Sequence, residues 1–162
     1  MKTKNSYLDN NRLADVIAAI QVMGTYKFYK LSFDDWSDRI SGKETSGDHW
    51  KTIFMDHPEF FRLDGNREKA SLVWRRQYPR RFHVDLERKI TQEEYDELRQ
   101  EERQNRLSRI PLNSDDIKAL IGTAINLHAR ALEEEKERRW WIPLFVSGIG
   151  GLIGAVIGAY FK

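Results

Sequence analysis

The 162-residue chain has no cysteine, only four prolines, and four histidines, His49, His57, His83 and His128, that stand far apart. Without cysteine a disulfide-stapled fold, a thiolate zinc site, an iron–sulfur cluster and a thiol nucleophile are all excluded. No His-x-x-x-His pair, glycine-rich phosphate loop or serine at a strand-to-helix elbow is present either, so the usual local signatures of metal, nucleotide and acyl chemistry are missing. Carboxylates are abundant at 93–102 and 133–137. They lie in polar stretches, without the apolar surroundings that raise a carboxyl pKa for acid catalysis. The expectation is therefore a protein that is not an enzyme and uses no cofactor and no metal. Overall charge of one sign is lacking too: 27 cations face 25 anions, for a net charge of +2. The length fits one main domain.

Charge is unevenly spread. From Trp140 to Phe161 the chain reads WWIPLFVSGIGGLIGAVIGAYF, 22 residues without a charged side chain. As a helix this stretch would be about 33 Å long, against about 30 Å of bilayer hydrocarbon. Trp140, Trp141 and Tyr160 suit the two water interfaces. Arg130, Lys136, Arg138 and Arg139 precede the run and only Lys162 follows it, which places the N-terminal part in the cytoplasm. The expectation is a tail-anchored, single-pass, N-inside protein of the cytoplasmic membrane. Gly150, Gly154 and Gly158 recur every fourth residue, a spacing that favours close helix–helix packing and hence self-association.

The rest reads mainly as helix. Leu13, Val16, Ile17, Ile20 and Met23 recur at helical spacing behind the cap candidates Asp9, Asn10 and Asn11. Tyr26 to Leu31 alternates and suits a strand, and Ser32 restarts a helix through Trp36 and Ile40. A third helix is expected over Asp48–His57, ended by Pro58. Phe60–Leu63 and Ser71–Arg75 then flank Asp64-Gly65-Asn66-Arg67 as a β-hairpin, with positive φ expected from the Gly and Asn. Residues 77–114 read as a linker with one polar helix opened by the capping box at Thr91 and Glu94. Residues 115–139 read as a long helix with one apolar stripe, which either packs on the domain or self-associates, leading into the apolar run at 140–161.

The order helix, strand, helix, helix, hairpin over residues 10–76 resembles the winged-helix domain. That resemblance implies that the third helix and the hairpin are the contacting elements. In a DNA reader the helix enters the major groove while the hairpin contacts the backbone or minor groove. The Asp48–His57 helix is poorly suited to this, since Lys51 is its one cation. Residues 62–89, by contrast, carry nine cations against four anions. The candidate basic patch is Arg62, Arg67, Lys69, Arg75, Arg76, Arg80 and Arg81, a surface for nucleic acid, anionic lipid or an acidic protein face.

These features converge on a non-enzymatic membrane-anchored protein whose winged-helix domain recruits an unidentified protein partner and whose glycine-rich span promotes oligomerisation. Two alternatives stay open. One is a membrane-tethered DNA-binding regulator with Arg75, Arg76, Arg80 and Arg81 on phosphate. The other is an effector of a defence or toxin system whose assembled span disrupts the membrane.

Overall fold

The computed structural model describes residues 5–139. A 3₁₀ turn at Ser6–Leu8 leads into α1 (Arg12–Thr25), β1 (Lys30–Ser32), α2 (Phe33–Ser41), α3 (Gly47–Asp56), β2 (Phe61–Leu63) and β3 (Lys69–Leu72). Beyond them lie β4 (Phe82–His83), β5 (Arg88–Lys89), α4 (Gln92–Glu97), α5 (Gln100–Arg106), β6 (Leu107–Ser108) and α6 (Ser114–Arg139). The first three strands form an antiparallel sheet in the order β1-β3-β2, and the last three a second one in the order β5-β4-β6.

Local chemistry accounts for several boundaries. Ser32 Oγ accepts the Asp35 backbone N–H at 3.2 Å and opens α2, and Gly42, at φ +68, closes it in the left-handed conformation. Thr91 and Glu94 form the reciprocal capping box of α4. Asn113 Oδ1 accepts the N–H groups of Asp115 and Asp116 at 2.9 and 2.8 Å, at the start of α6. The turn between β2 and β3 departs from expectation. Arg67 takes the positive φ, +58, rather than Gly65 or Asn66. Asp64 organises this turn: its carbonyl accepts Arg67 N–H, and its carboxylate accepts the N–H groups of Glu68 and Lys69.

The core lies between the three N-terminal helices and the first sheet. Val16, Ile20, Met23, Trp36, Ile53, Phe54, Phe60, Phe61 and Leu72 are all buried in it. Trp36 buries its ring here and still satisfies its indole N–H, which donates to Ala70 O on β3 at 3.0 Å. At roughly 1.5–3 kcal/mol per buried large apolar side chain, this cluster is the main source of stability.

α6 lies against α1 rather than standing apart. Leu120, Ala124 and Ala131 are buried, and Ile117, Ile121 and Leu127 pack on the same cluster. The two helices come close at Gly24, where an added Cβ would sit 3.2 Å from Ile117 Cγ1. Gly24 O also accepts Leu112 N–H at 2.9 Å, and His128 Nδ1 lies 2.9 Å from Tyr7 O. Of the two fates open to the apolar stripe, the chain uses the intramolecular one.

The expected continuation of this helix into a transmembrane segment is corrected by the structure. No helix among the described residues is long and apolar enough to cross a membrane. α6 could not serve, because residues 133–139 are all charged and charge is costly in hydrocarbon. The stretch 140–161, with Gly150, Gly154 and Gly158, lies outside the described residues. The fold is thus mainly helical with two small antiparallel sheets. The tail-anchored, single-pass, N-inside assignment to the cytoplasmic membrane is dropped along with the helix it rested on.

Two further differences lie after β3. β3 ends at Leu72 and the chain turns into a 3₁₀ segment at Trp74–Gln77, where Arg75 enters the interior. The polar helix expected after Thr91 is broken into α4 and α5 at Leu98 and Arg99, both extended. Arg75 is fully buried. Its guanidinium donates to the carbonyls of Met23 at 2.9 Å, Tyr26 at 2.5 Å, Phe28 at 3.3 Å and Lys27 at 3.4 Å. It also reaches Ile110 O at 3.1 Å and Arg109 O.

Replacing Arg75 with Met strands these carbonyls, and at about 1 kcal/mol or more per buried unsatisfied group it should cost at least about 3 kcal/mol. Urea unfolding followed by tryptophan fluorescence measures this. Arg75→Lys should recover only part of the loss, because an ammonium carries three donors to the guanidinium's five.

Candidate functional site

The structure divides the candidate basic patch into structural and exposed members. Arg75 is inside the protein. Burial, followed by the charge of Arg109, pushes its guanidinium down to about 10, so it remains charged at neutral pH and its charge is spread over backbone dipoles. Arg80 donates to Leu107 O at 3.0 Å and Gln104 O at 3.0 Å and lies over the Tyr29 ring. Arg81 bonds to the Gln92 side chain and lies 5.3 Å from the Tyr95 ring centroid. Three of the seven arginines and lysines are thus committed to contacts within the protein. Arg62, Arg67, Lys69 and Arg76 remain exposed, the first three of them on the β2–β3 hairpin.

α3 offers still less to a nucleic acid. Asp56 pairs with Arg12 at 3.3 Å and His49 with Asp15 at 3.2 Å, both across to α1. Thr52 Oγ1 turns back to Asp48 O at 3.0 Å, and Lys51 Nζ lies 5.6 Å from the Phe33 ring centroid. His49, Lys51, Thr52 and Asp56 of this helix are thus engaged with the protein itself.

Between the C-terminal end of α3 and the hairpin lies an open groove of about 380 Å³. Its walls are Phe54, Met55 and Pro58 from the helix side and Phe61 and Leu63 from β2. Met55 is 49% exposed. Arg62 and Arg67 line the groove from the hairpin, together with Asp64. The Asp64 carboxyl is itself hydrogen-bonded to Glu68 and Lys69 N–H and lies 3.9 Å from Lys30. Slight burial works to raise its pKa, but these bonds and cations outweigh that and hold it below the usual carboxylate range. The two arginines therefore set the sign of the rim. The sequence marked Arg62 and Arg67 as basic; it did not mark Met55 or Pro58, whose place on the groove wall depends on where β2 returns past α3.

A second cluster joins three elements. Tyr7 Oη donates to Glu59 Oε1, which also lies 3.1 Å from His57 Nδ1. The Tyr7 and His57 rings meet edge to face with centroids 4.5 Å apart. His57 is fully buried, and its Nε2 has no hydrogen-bond partner among the described residues. Burial raises the Tyr7 phenol strongly, with the Glu59 carboxylate adding to it. For Glu59 burial is opposed and outweighed by the hydrogen bonds with His57 and Tyr7, so its carboxyl sits below its ordinary value. The Tyr7 phenol is locked in its protonated form as a donor. The cluster fastens the Ser6–Leu8 turn to the end of α3. Among the described residues no group of three or more His, Asp or Glu side chains is placed to hold a metal ion.

Comparison of the chain with protein-family models, curated proteins and solved structures finds no match. The winged-helix resemblance therefore rests on the element order and apolar spacing of the sequence alone.

Glu59→Gln gives a pH test of this cluster. A carboxyl held below its unfolded value near 4.5 stabilises the fold above that pH and loses the contribution as pH falls through the folded value. The wild type should exceed the variant by about 1 kcal/mol at pH 7, and the gap should close below about pH 4. Thermal melts across this pH range read the difference.

Proposed function

We propose that the chain is a non-enzymatic protein-interaction module built on a winged-helix type of arrangement, with the third helix and the hairpin forming the contact face. The observation that carries this reading is the pairing of an exposed apolar groove with an α3 whose His49, Lys51, Thr52 and Asp56 are already used within the protein. A helix that reads DNA needs free cations and donors facing outward, and Lys51, the one cation of α3, lies over Phe33. The order of α1, β1, α2, α3, β2 and β3, with β3 central in its sheet, supports the winged-helix part of the proposal. Exposed apolar side chains beside a charged rim support a protein partner, since interface centres are apolar and their rims polar.

The exposed cations Arg62, Arg67, Lys69 and Arg76 favour one other reading, a nucleic-acid-binding regulator. The two readings differ in a direct test. A photo-crosslinking residue is placed in turn at Thr52 and Met55 on α3 and at Asn66 on the hairpin, exposed positions of the proposed face, in the cells that produce the protein. A discrete adduct that protease removes and nuclease leaves intact is the expected result from at least one position. Fluorescence anisotropy of the full chain with random duplex DNA should show no binding that falls steeply with salt. Steep, salt-dependent binding with no protein adduct would overturn the proposal in favour of the regulator.

A further inference from the structure

The groove adjoins an unpaired edge of the sheet, and the backbone along that edge can be read from its hydrogen bonds. Among the described residues β2 pairs with β3 on one side only, as Phe61 with Leu72, Arg62 with Ser71 and Leu63 with Ala70. Asp64 N–H donates to Lys69 O at 2.9 Å and Val73 N–H to Phe60 O at 2.8 Å. In an antiparallel ladder, bonded and non-bonded pairs alternate, so Arg62 turns its N–H and C=O toward β3 while Phe61 and Leu63 turn theirs away. Phe61 N–H is taken by His57 O at 3.0 Å. Phe61 C=O and both backbone groups of Leu63 are left on the open side.

Side chains lead to the same edge. Successive residues of a strand point to opposite faces of a sheet, yet Phe61, Arg62 and Leu63 all line this groove. It therefore runs along the strand edge and opens toward both faces. Its floor is apolar, and its cations come from Arg62 and from Arg67. Arg67 has φ +58, a conformation in which glycine costs less than any other residue. The turn thus presents a guanidinium beside the groove from a position where the backbone favours no side chain at all.

We infer that this edge captures an extended acidic peptide of a protein partner, which adds to the sheet as a strand beside β2, with carboxylates toward Arg62 and Arg67 and an apolar side chain between Met55, Pro58 and Leu63. The inference rests on the protein-interaction reading above and names the chemistry of its partner. Charge complementarity selects the occupant: both free charges on the groove are positive, and the one carboxylate, Asp64, is bound to its own turn. Strand addition supplies backbone bonds to the three open groups, and alternating pockets supply selectivity.

The test uses the full chain and a fluorescein-labelled heptapeptide of alternating aspartate and leucine, followed by anisotropy. Binding with Kd on the order of 10–100 μM is expected. Three changes should each weaken it by about 10-fold or more: Arg62→Glu with Arg67→Glu, Met55→Asp, and N-methylation of alternate peptide residues, which leaves the protein untouched. A lysine–leucine peptide should not bind. Circular dichroism melts of each variant are read alongside, and the N-methylated peptide keeps the test valid should a variant unfold. Absence of binding at about 1 mM peptide, or binding indifferent to both N-methylation and the arginine changes, overturns the edge site. The interaction-module reading survives either result if crosslinked protein adducts form at Thr52 or Asn66, on the same face but outside the groove lining. Competition by duplex DNA for the same arginines, with no protein adduct at any position, overturns both.

Discussion

The buried guanidinium of Arg75 is the interaction on which the rest of the arrangement depends, because it bonds to three separately formed parts of the chain. Met23 lies in the last turn of α1, Tyr26 to Phe28 form the connection to β1, and Arg109 and Ile110 lead from β6 toward α6. Carbonyls at the end of a helix have no partner within it and carry the negative end of its dipole. A cation brought in from a distant segment satisfies both needs. Removing a charge from water costs several kcal/mol, and only dense hydrogen bonding makes that cost tolerable. The carbonyls around Arg75 supply it without a carboxylate.

Arg109 and Arg80 extend this scheme outward. Arg109 donates to the carbonyls of Arg76 and Tyr78, so the two segments are laced in both directions. Arg109 and Arg80 both lie over the Tyr29 ring, with centroid distances of 5.0 and 5.9 Å. Arg103 and Arg81 share Tyr95 in the same way. Aromatic faces and backbone carbonyls thus take up cations that would otherwise make a broad positive surface. What remains positive is concentrated on the hairpin, next to an apolar groove. Structural demand on arginine in one region thereby sharpens the chemistry of another.

Several elements were legible from local signals. The caps at Ser32, Thr91 and Asn113, the helical stripes of α1 and α3, and the reversal at 64–67 all depend on residues close in sequence. So did the location of Arg62, Arg67 and Lys69 on a hairpin. Other features were not legible because their causes are remote. Nothing near Arg75 marks it as interior: its acceptors lie 34 or more positions away in sequence. The strands β4, β5 and β6 are only two residues long, too short for an alternating pattern to register. Gly24 gives no local sign that Ile117 will press against it.

The sequence by itself determined where α2 and α4 begin, which face of α1 is buried, and that no thiol chemistry is available, since caps, periodicity and composition act over a few residues. Only the tertiary structure decided which cations stay free, that α6 returns to α1, and that Met55, Leu63 and the open edge of β2 share one groove. The physical reason is that burial and hydrogen-bond satisfaction are properties of neighbourhoods assembled from distant segments. A guanidinium has the same charge in any sequence, and its surroundings alone decide whether it binds a partner or holds the fold.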